Sequence, residues 1–363
     1  MALHPLELPR EAALLFRVVV LLKRLFCALA ESAPDPTTVD TGWLQRLWQC
    51  QDAEWTRRFC LGGQEGRIQA IAHAPLLARS GIRDEFVRQN KVHAVLVAGG
   101  DFRDLTSIPG MNDSLAETVK VFLTKCYDQL GSNGQKWPGF AFSGGRLLHK
   151  QAYKESFQQR HPASTVCPYC DGANQAPELD HYLRKARFPL LACSPWNLVL
   201  VCKPCNDMIL GKGKSEARTV GTPRPMDQWL HPFFRPASTE VCISLTGAPR
   251  ASIPRLHSPD AEEQIRLDNH AKLIQDPPKS HRLYDHWTQM AASYHERLVA
   301  RVRRERTLTL TPDVVVDREL EAHLADRGIM PSSMIKAAVC RAILDNRPGY
   351  REELVDSNPV ELH

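Results

Sequence analysis

The sequence predicts a mainly helical protein in which a small cysteine-rich unit lies between two helical regions. Apolar residues recur at helical spacing near both ends of the chain, over 11–31, 43–50, 66–97, 260–274, 282–306, 317–326 and 332–345. Between these stretches lie two Cys-x-x-Cys pairs and two strand-like runs. We therefore predict three parts, a helical region over 1–143, the cysteine-rich unit over 144–240 and a second helical region over 241–363.

The composition is that of an ordinary globular protein, with 43% hydrophobic and 24% charged residues. The formal net charge of +5 permits nucleic-acid binding but does not select it, because a solvated basic surface has the same composition. Eleven cysteines are present, and seven of them are scattered singly, as expected of small buried apolar side chains.

The N-terminal stretch EAALLFRVVVLLKRLFCALAE is apolar, but Arg17, Lys23 and Arg24 interrupt it. A membrane span needs about 20 apolar residues in a row, and a signal peptide needs a charged segment, an apolar segment and small residues in that order. We predict a buried amphipathic helix, no membrane association and a cytoplasmic location in which cysteines stay reduced.

Several helix ends carry their own signals. Ser114 and Glu117 have the spacing of a capping box, and Gly131 suits the end of the helix that they open. Ser258 followed by Pro259 predicts an N-cap and first helical position. The run EVCISL, over 240–245, has strand character.

Four cysteines form the strongest motif. Cys167 and Cys170 make one pair, Cys202 and Cys205 make the other, and 31 residues separate the pairs. Four thiolates at this spacing suit a tetrahedral Zn²⁺, whereas a redox role is the less favoured interpretation for two copies around one insert. Because a catalytic zinc keeps an open position, a Cys₄ site predicts a structural zinc and places any chemistry elsewhere.

The insert reads as strand, long loop, strand and short helix, with strands in ELDHYL and NLVLVC and a helix opened by Pro204. Asp180 and His181 are neighbours on the first strand, so their side chains face opposite sides unless the strand bends. The oxygens of Asp180 and Asn206 suit Mg²⁺ or Mn²⁺. An imidazole can take a proton from water, so metal and base together predict phosphodiester hydrolysis.

The same residues resemble the HNH nuclease family, whose fold is a ββα-metal unit. The resemblance covers roughly 65 residues, from CPYC through ELDHYLRKARFPLLACSPWNLVLVCKPCN to WLHPFF. The three signature positions fall on His181, Asn197 and Asn206, which are sixteen and nine residues apart. The last signature residue is Asn, which makes the chain similar to the H-N-N variant of the family.

The resemblance implies a role for each position. His181 matches the general base, Asn197 matches the residue that braces the loop and orients this base, and Asp180 and Asn206 match ligands of one Mg²⁺ or Mn²⁺. Many relatives carry Lys three residues after the final Asn, where this chain has Ile209. Lys212 and Lys214 follow this position and are candidates for the missing phosphate contact.

Further basic residues are candidate DNA contacts. Arg184 and Lys185 follow the first strand, and Arg297, Arg301 and Arg304 share one face of a predicted helix. Such a face can follow a duplex backbone, but a solvated surface or an acidic partner protein explains it nearly as well.

We therefore predict a metal-dependent HNH endonuclease that acts on DNA, with a structural zinc and a catalytic Mg²⁺ or Mn²⁺. The resemblance also implies a setting in bacterial defence against phage or plasmids, in some relatives beside an ATPase partner. Restriction-type and mobile-element nucleases stay open. The alternative is a zinc-stabilised module with weak catalysis that binds nucleic acid or recruits a partner, which Ile209 favours.

Overall fold

The structure of the chain is a computed structural model. It describes residues 3–31, 35–49, 56–57, 60, 63–98, 100, 102–129, 150–160, 166–174, 176–206, 226–275, 283–305 and 311–355. Gly131, Ile209, Lys212 and Lys214, which the sequence analysis names, lie outside these residues.

Helices α1 to α7 precede the cysteine-rich unit. Their bounds are Ala12–Glu31, Thr41–Trp48, Gln64–His73, Leu76–Asn90, Val92–Val97, Asp113–Asp128 and Lys150–Arg160. In α1, Leu25 and Phe26 are buried while Lys23 and Arg24 are exposed, so the predicted amphipathic helix is confirmed. Within the described ranges, no helix is both long enough and apolar enough to cross a membrane.

A hairpin follows the first cysteine pair. Strand β1 (Glu178–His181) pairs antiparallel with β2 (Leu198–Val201), and the short helix α8 (Lys203–Asn206) begins directly afterwards. The predicted order of strand, loop, strand and helix start is confirmed for these residues. The loop between the strands contains two short 3₁₀ helices, Pro189–Leu191 and Pro195–Asn197.

A second hairpin and five helices complete the described chain. Their bounds are Cys242–Thr246 (β3), Ile253–His257 (β4), Ala261–Gln275 (α9), Leu283–Glu305 (α10), Pro312–Ala325 (α11), Ser333–Leu344 (α12) and Glu352–Val355 (α13). Strand β3 matches the strand expected over 240–245. Strand β4 was not expected, because Pro254 argues against a strand unless it is an edge strand. Among the described residues, β4 pairs only with β3, as an edge strand does.

The first hairpin is buried between the two helical regions. Leu198 and Leu200 pack into a core shared with the N-terminal helices, whereas Val199 and Val201 pack into a core shared with the C-terminal helices. Successive side chains of a strand point to opposite faces, so β2 contributes to both cores. The predicted boundaries of the three parts stay a prediction, since the described hairpin residues pack into the cores of both helical regions.

Two predicted helix caps are wrong by two residues. Helix α6 is capped by Asn112, whose side-chain oxygen accepts from the Leu115 amide at 2.9 Å, and not by Ser114. Asp260 caps α9 by accepting from the Glu263 amide at 2.6 Å, while the Ser258 hydroxyl accepts from the Asp260 amide. Asn and Asp cap as well as Ser does, so residue type alone did not locate these ends.

Candidate functional site

The four cysteines of the two pairs lie together and are buried. Their sulfur atoms are all within 4.8 Å of one another, and the Sγ atoms of Cys170 and Cys202 are 3.8 Å apart. A tetrahedral zinc with bonds of ~2.3 Å separates its sulfur ligands by about 3.8 Å. A disulfide would bring the sulfurs to about 2.05 Å. The group can therefore hold a metal ion such as zinc.

The electrostatics of the cluster favour a bound cation. Burial acts to raise the pKa of Cys167, but hydrogen bonds from the three other thiols and from the Cys202 amide hold it well below its ordinary value. Hydrogen bonding with Cys167 is the largest cause that raises the pKa of Cys170 and of Cys205. Four buried thiols cannot all ionise side by side without a positive charge among them, and a metal ion supplies it.

The turn between Cys167 and Cys170 is fixed to the C-terminal helices. The carbonyl oxygens of Tyr169 and Cys170 accept from His270 Nε2 at 2.8 Å and from Trp287 Nε1 at 3.0 Å. The carboxylate of Asp171, the residue after the pair, hydrogen-bonds to His4 and to the Met334 amide. The cluster therefore joins the N-terminal segment, the hairpin and the C-terminal region.

Asp180 is held by a residue of the cysteine cluster. Its Oδ2 accepts from the hydroxyl of Tyr169 at 3.0 Å, and Tyr169 lies between the two cysteines of the first pair. Asp180 is only 7% exposed. The sequence analysis did not identify Tyr169 as part of the site, because a Tyr within Cys-x-x-Cys gives no sign of which side chain it will contact.

Asn206, the second expected metal ligand, directly follows Cys205 in α8. Its Nδ2 donates to Oε2 of Glu178 at 2.6 Å, which leaves the amide oxygen as the atom suited to a hard cation. Glu178 and Asp180 are two residues apart on β1 and share one face of the strand. Glu178 is thus an acidic neighbour of the expected metal ligands that the sequence analysis missed.

His181 lies on the opposite side of β1 from Asp180, as expected for adjacent strand residues. Its Nε2 donates to the carbonyl oxygen of Ala192, in the loop between the strands, at 3.0 Å. Its ring meets the ring of Tyr127 edge-on, with centroids 4.3 Å apart. The Ala192 carbonyl fixes the proton on Nε2, so in the neutral ring Nδ1 carries the lone pair that a base needs.

Two lysines flank Tyr127 next to His181. The Nζ atoms of Lys150 and Lys185 lie 4.3 and 4.7 Å from the centre of the Tyr127 ring, and Lys185 also pairs with Asp128 at 2.7 Å. Burial is the main cause that lowers the pKa of Lys150, with Asp128 opposing the shift and Lys185 adding to it. The amines of Lys150 and Lys185 outnumber the carboxylate of Asp128, and the resulting excess of positive charge would attract an anion.

The Asn197 side chain hydrogen-bonds to two parts of the loop between the strands. Its Oδ1 accepts from the Leu183 amide at 2.7 Å, and its Nδ2 donates to the carbonyls of Leu183 and Leu191 at 2.9 and 3.2 Å. The side chain is 2% exposed, so water cannot replace these bonds. These bonds hold the loop between the strands, while the expected role of Asn197 in orienting the base stays a prediction.

We expect Asn197→Ala to lower the free energy of unfolding by about 2–4 kcal/mol, because it leaves buried backbone groups without partners. Urea denaturation measures the change. Asn112→Ala is the matched control, since it removes an exposed helix cap at a cost of about 1 kcal/mol. If Asn197→Ala lowers the free energy of unfolding no more than Asn112→Ala does, the Asn197 side chain does not stabilise the loop between the strands.

The remaining basic candidates lie apart from the hairpin or in its loop. Arg184 is part-exposed in the loop, while Arg297, Arg301 and Arg304 are exposed on α10. Arg301 is paired with Glu305 at 2.7 Å and with Glu319. The exposed stripe on α10 therefore carries less uncompensated charge than its sequence suggests.

The described chain is thus a mainly helical protein with two small two-stranded sheets and a buried four-cysteine cluster that can bind a metal ion. No protein-family model, no curated protein and no solved structure matches the chain.

Proposed function

We propose that this protein is a metal-dependent endonuclease of the HNH type that hydrolyses phosphodiester bonds in DNA. The observation that carries the proposal is that both expected metal ligands depend on the cysteine cluster. Asp180 is held by the tyrosine between the first two cysteines, and Asn206 directly follows the last one. A structural zinc would therefore fix the separation of the residues that hold the catalytic ion.

The side chains fit a hard divalent cation. Asp180 and Asn206 offer oxygen atoms, and Glu178 adds negative charge beside Asn206. When bound, Mg²⁺ or Mn²⁺ polarises the scissile phosphate and stabilises the charge on the leaving 3′ oxygen. We assign the four cysteines to Zn²⁺ because thiolates prefer softer cations.

His181 supplies the base in this proposal. Water attacks phosphorus, its proton passes to the imidazole, and the bond from phosphorus to the 3′ oxygen breaks. The products are a 5′-phosphate and a 3′ oxyanion, which takes a proton from solvent water to become the 3′-hydroxyl. The carbonyl of Ala192 holds the ring tautomer, and Asn197 holds the loop that carries this carbonyl.

Lys150 and Lys185 take over the phosphate contact that relatives make from the position of Ile209. Their amines lie around the Tyr127 ring, whose edge meets His181. A phosphodiester brings the negative charge that Asp128 alone does not supply. The basic residues of α10 would then be secondary contacts.

A second candidate is a zinc-stabilised module that binds nucleic acid or a partner without cleaving. Two observations favour it. His181 and Asp180 are only 8% and 7% exposed, whereas a base must reach solvent water. The two side chains also lie on opposite sides of β1, whereas the nuclease needs its base and its metal ion at one phosphate. For the nuclease we propose a bacterial cytoplasmic role in defence against phage or plasmids, with an ATPase as a candidate partner. This setting rests on the family resemblance alone.

Incubation with plasmid, linear duplex, single-stranded DNA and RNA, each with Mg²⁺ or Mn²⁺, tests the proposal. We expect new ends in at least one DNA substrate, bearing 5′-phosphates. Binding to these substrates with no cleavage under either metal would favour the non-cleaving module instead.

A further inference from the structure

The side chain of His181, the proposed base, lies under the last turn of helix α6, residues 125–128. Its ring meets the ring of Tyr127 in that turn edge-on, with centroids 4.3 Å apart. Packed aromatic rings usually have centroids about 4.5–7 Å apart, so this separation leaves no room for water between the two rings. His181 is 8% exposed and Tyr127 is 5% exposed. The last turn of α6 therefore restricts the access of water to the proposed base.

Tyr127 acts on His181 by contact and not as an acid or base. Burial is the largest cause that raises the pKa of Tyr127, and Cys193, Asp128 and Asp180 add to the shift. The hydroxyl therefore stays protonated at neutral pH and cannot take a proton from the imidazole.

Two ion pairs join the N-terminal helical region to the loop between β1 and β2. Lys185 pairs with Asp128, the last residue of α6, at 2.7 Å, and Arg187 pairs with Asp104 at 2.8 Å. All four side chains are between 31% and 43% exposed. Ion pairs with this exposure are weak, so a competing anion can displace either acid. Lys185 also lies 4.7 Å from the centre of the Tyr127 ring, so its pair is the one beside the covered base.

The position of Asp128 makes the last turn of α6 depend on Lys185. A carboxylate at the C-terminal end of a helix is unfavourable beside the negative end of the helix dipole, and a cation compensates it. Lys185 supplies a cation from the loop. When Lys185 binds another anion, the charge of Asp128 destabilises the turn, and helix ends open more easily than helix interiors. Tyr127 belongs to this turn and leaves His181 with it.

We propose that the last turn of α6 is an inhibitory cover over His181, which a phosphate of the nucleic acid opens by drawing Lys185 away from Asp128. Phosphate is the anion that the proposed substrate carries, and its charge-assisted bonds with Lys are strong. The cover thus confines cleavage to protein that has bound nucleic acid. The inhibitory role rests on the proposed function, whereas the covering of His181 does not.

Diethyl pyrocarbonate tests the cover, because it modifies a neutral imidazole that solvent reaches. Its reaction with each histidine is followed by mass spectrometry at neutral pH, without nucleic acid or added Mg²⁺ or Mn²⁺. In wild type we expect His181 to react about as slowly as buried His295 and well below the rate of exposed His257. Lys185→Met removes the cation beside Asp128 and should raise the rate at His181 at least about fivefold.

Arg187→Met is the matched control for Lys185→Met. It removes an ion pair of similar exposure between the same loop and the N-terminal helical region, but its partner Asp104 lies outside α6. The rate at His181 should stay within about twofold of wild type. A fast reaction of His181 in wild type, or equal rates at His181 in the two variants, would overturn the proposal.

Inorganic phosphate is the probe for the opening anion. When phosphate replaces chloride at constant ionic strength, the rate at His181 should rise in wild type and stay unchanged in Lys185→Met. An unchanged rate in wild type would show that phosphate does not open the cover.

Tyr127→Leu connects the cover with cleavage, since it removes the ring and keeps an apolar side chain. If the variant folds, as judged by its melting temperature, both the reaction rate of His181 and the single-turnover cleavage rate at saturating DNA should rise at least about threefold. Wild-type cleavage with no faster cleavage by Tyr127→Leu would show that the cover does not inhibit. Faster reaction of His181 in a variant that, like wild type, cleaves no substrate would retain the cover and overturn the proposed nuclease function instead.

Discussion

Replacing His181 by alanine is expected to slow phosphodiester cleavage about 10²–10⁴-fold, the usual contribution of a general base. The substitution removes the ring whose Nε2 hydrogen-bonds to the Ala192 carbonyl, and with it the nitrogen that accepts a proton from water in the proposed hydrolysis. It leaves the cysteine cluster and Asp180 in place. Single-turnover rates at saturating Mn²⁺, with zinc content measured on the same samples, give the result.

His231→Ala is the control for folding. His231 is also buried, and its ring lies 4.4 Å from that of Tyr182 on the same hairpin. Its loss should lower stability, while the cleavage rate per folded molecule stays near that of wild type. If His181→Ala and His231→Ala lower the cleavage rate per folded molecule equally, His181 is not the general base.

Replacing Cys202 by alanine is expected to abolish zinc binding and to lower the free energy of unfolding by more than about 4 kcal/mol, because structural metal binding contributes directly to folding. Cys202 directly follows β2, and its sulfur lies 3.8 Å from that of Cys170, so the substitution removes a contact between the hairpin and the first cysteine pair. Metal analysis and thermal unfolding measure the two effects.

Cys193→Ala is the matched control for Cys202→Ala. Cys193 is a buried cysteine of the inter-strand loop outside the cluster, and burial raises its pKa to about 12. Its replacement should cost only about 1–2 kcal/mol and leave one zinc per chain. Retained zinc and unchanged stability in Cys202→Ala would show that the four cysteines do not form a structural metal site.

The sequence predicted those features of the site that depend on local spacing. The two Cys-x-x-Cys pairs, the two strands and the start of α8 follow from residue type and period over short stretches. The bracing by Asn197 was predicted from the family resemblance. The helix starts at Asn112 and Asp260 were missed because several cap residues lie close together and only the backbone geometry selects one.

The sequence did not predict contacts between distant segments. Tyr127 and Lys150 lie far from His181 along the chain, and packing of the N-terminal helices brings them to it. The contact between Tyr169 and Asp180 depends on how the first cysteine pair packs against β1. Burial of β2 on both faces also depends on the two helical regions, which no short-range pattern specifies.

The most direct test of metal-dependent cleavage by this hairpin removes the weakly bound divalent ion and leaves the zinc in place. Protein is dialysed against a mild chelator until zinc stays near one per chain, and cleavage of DNA is then followed as Mn²⁺ or Mg²⁺ is added back. We expect no cleavage before the addition, recovery with either ion, and no recovery in Asp180→Asn. Cleavage that persists without added metal, or that follows the zinc content instead, would contradict the division of the site into a structural zinc and a catalytic ion held by Asp180 and Asn206.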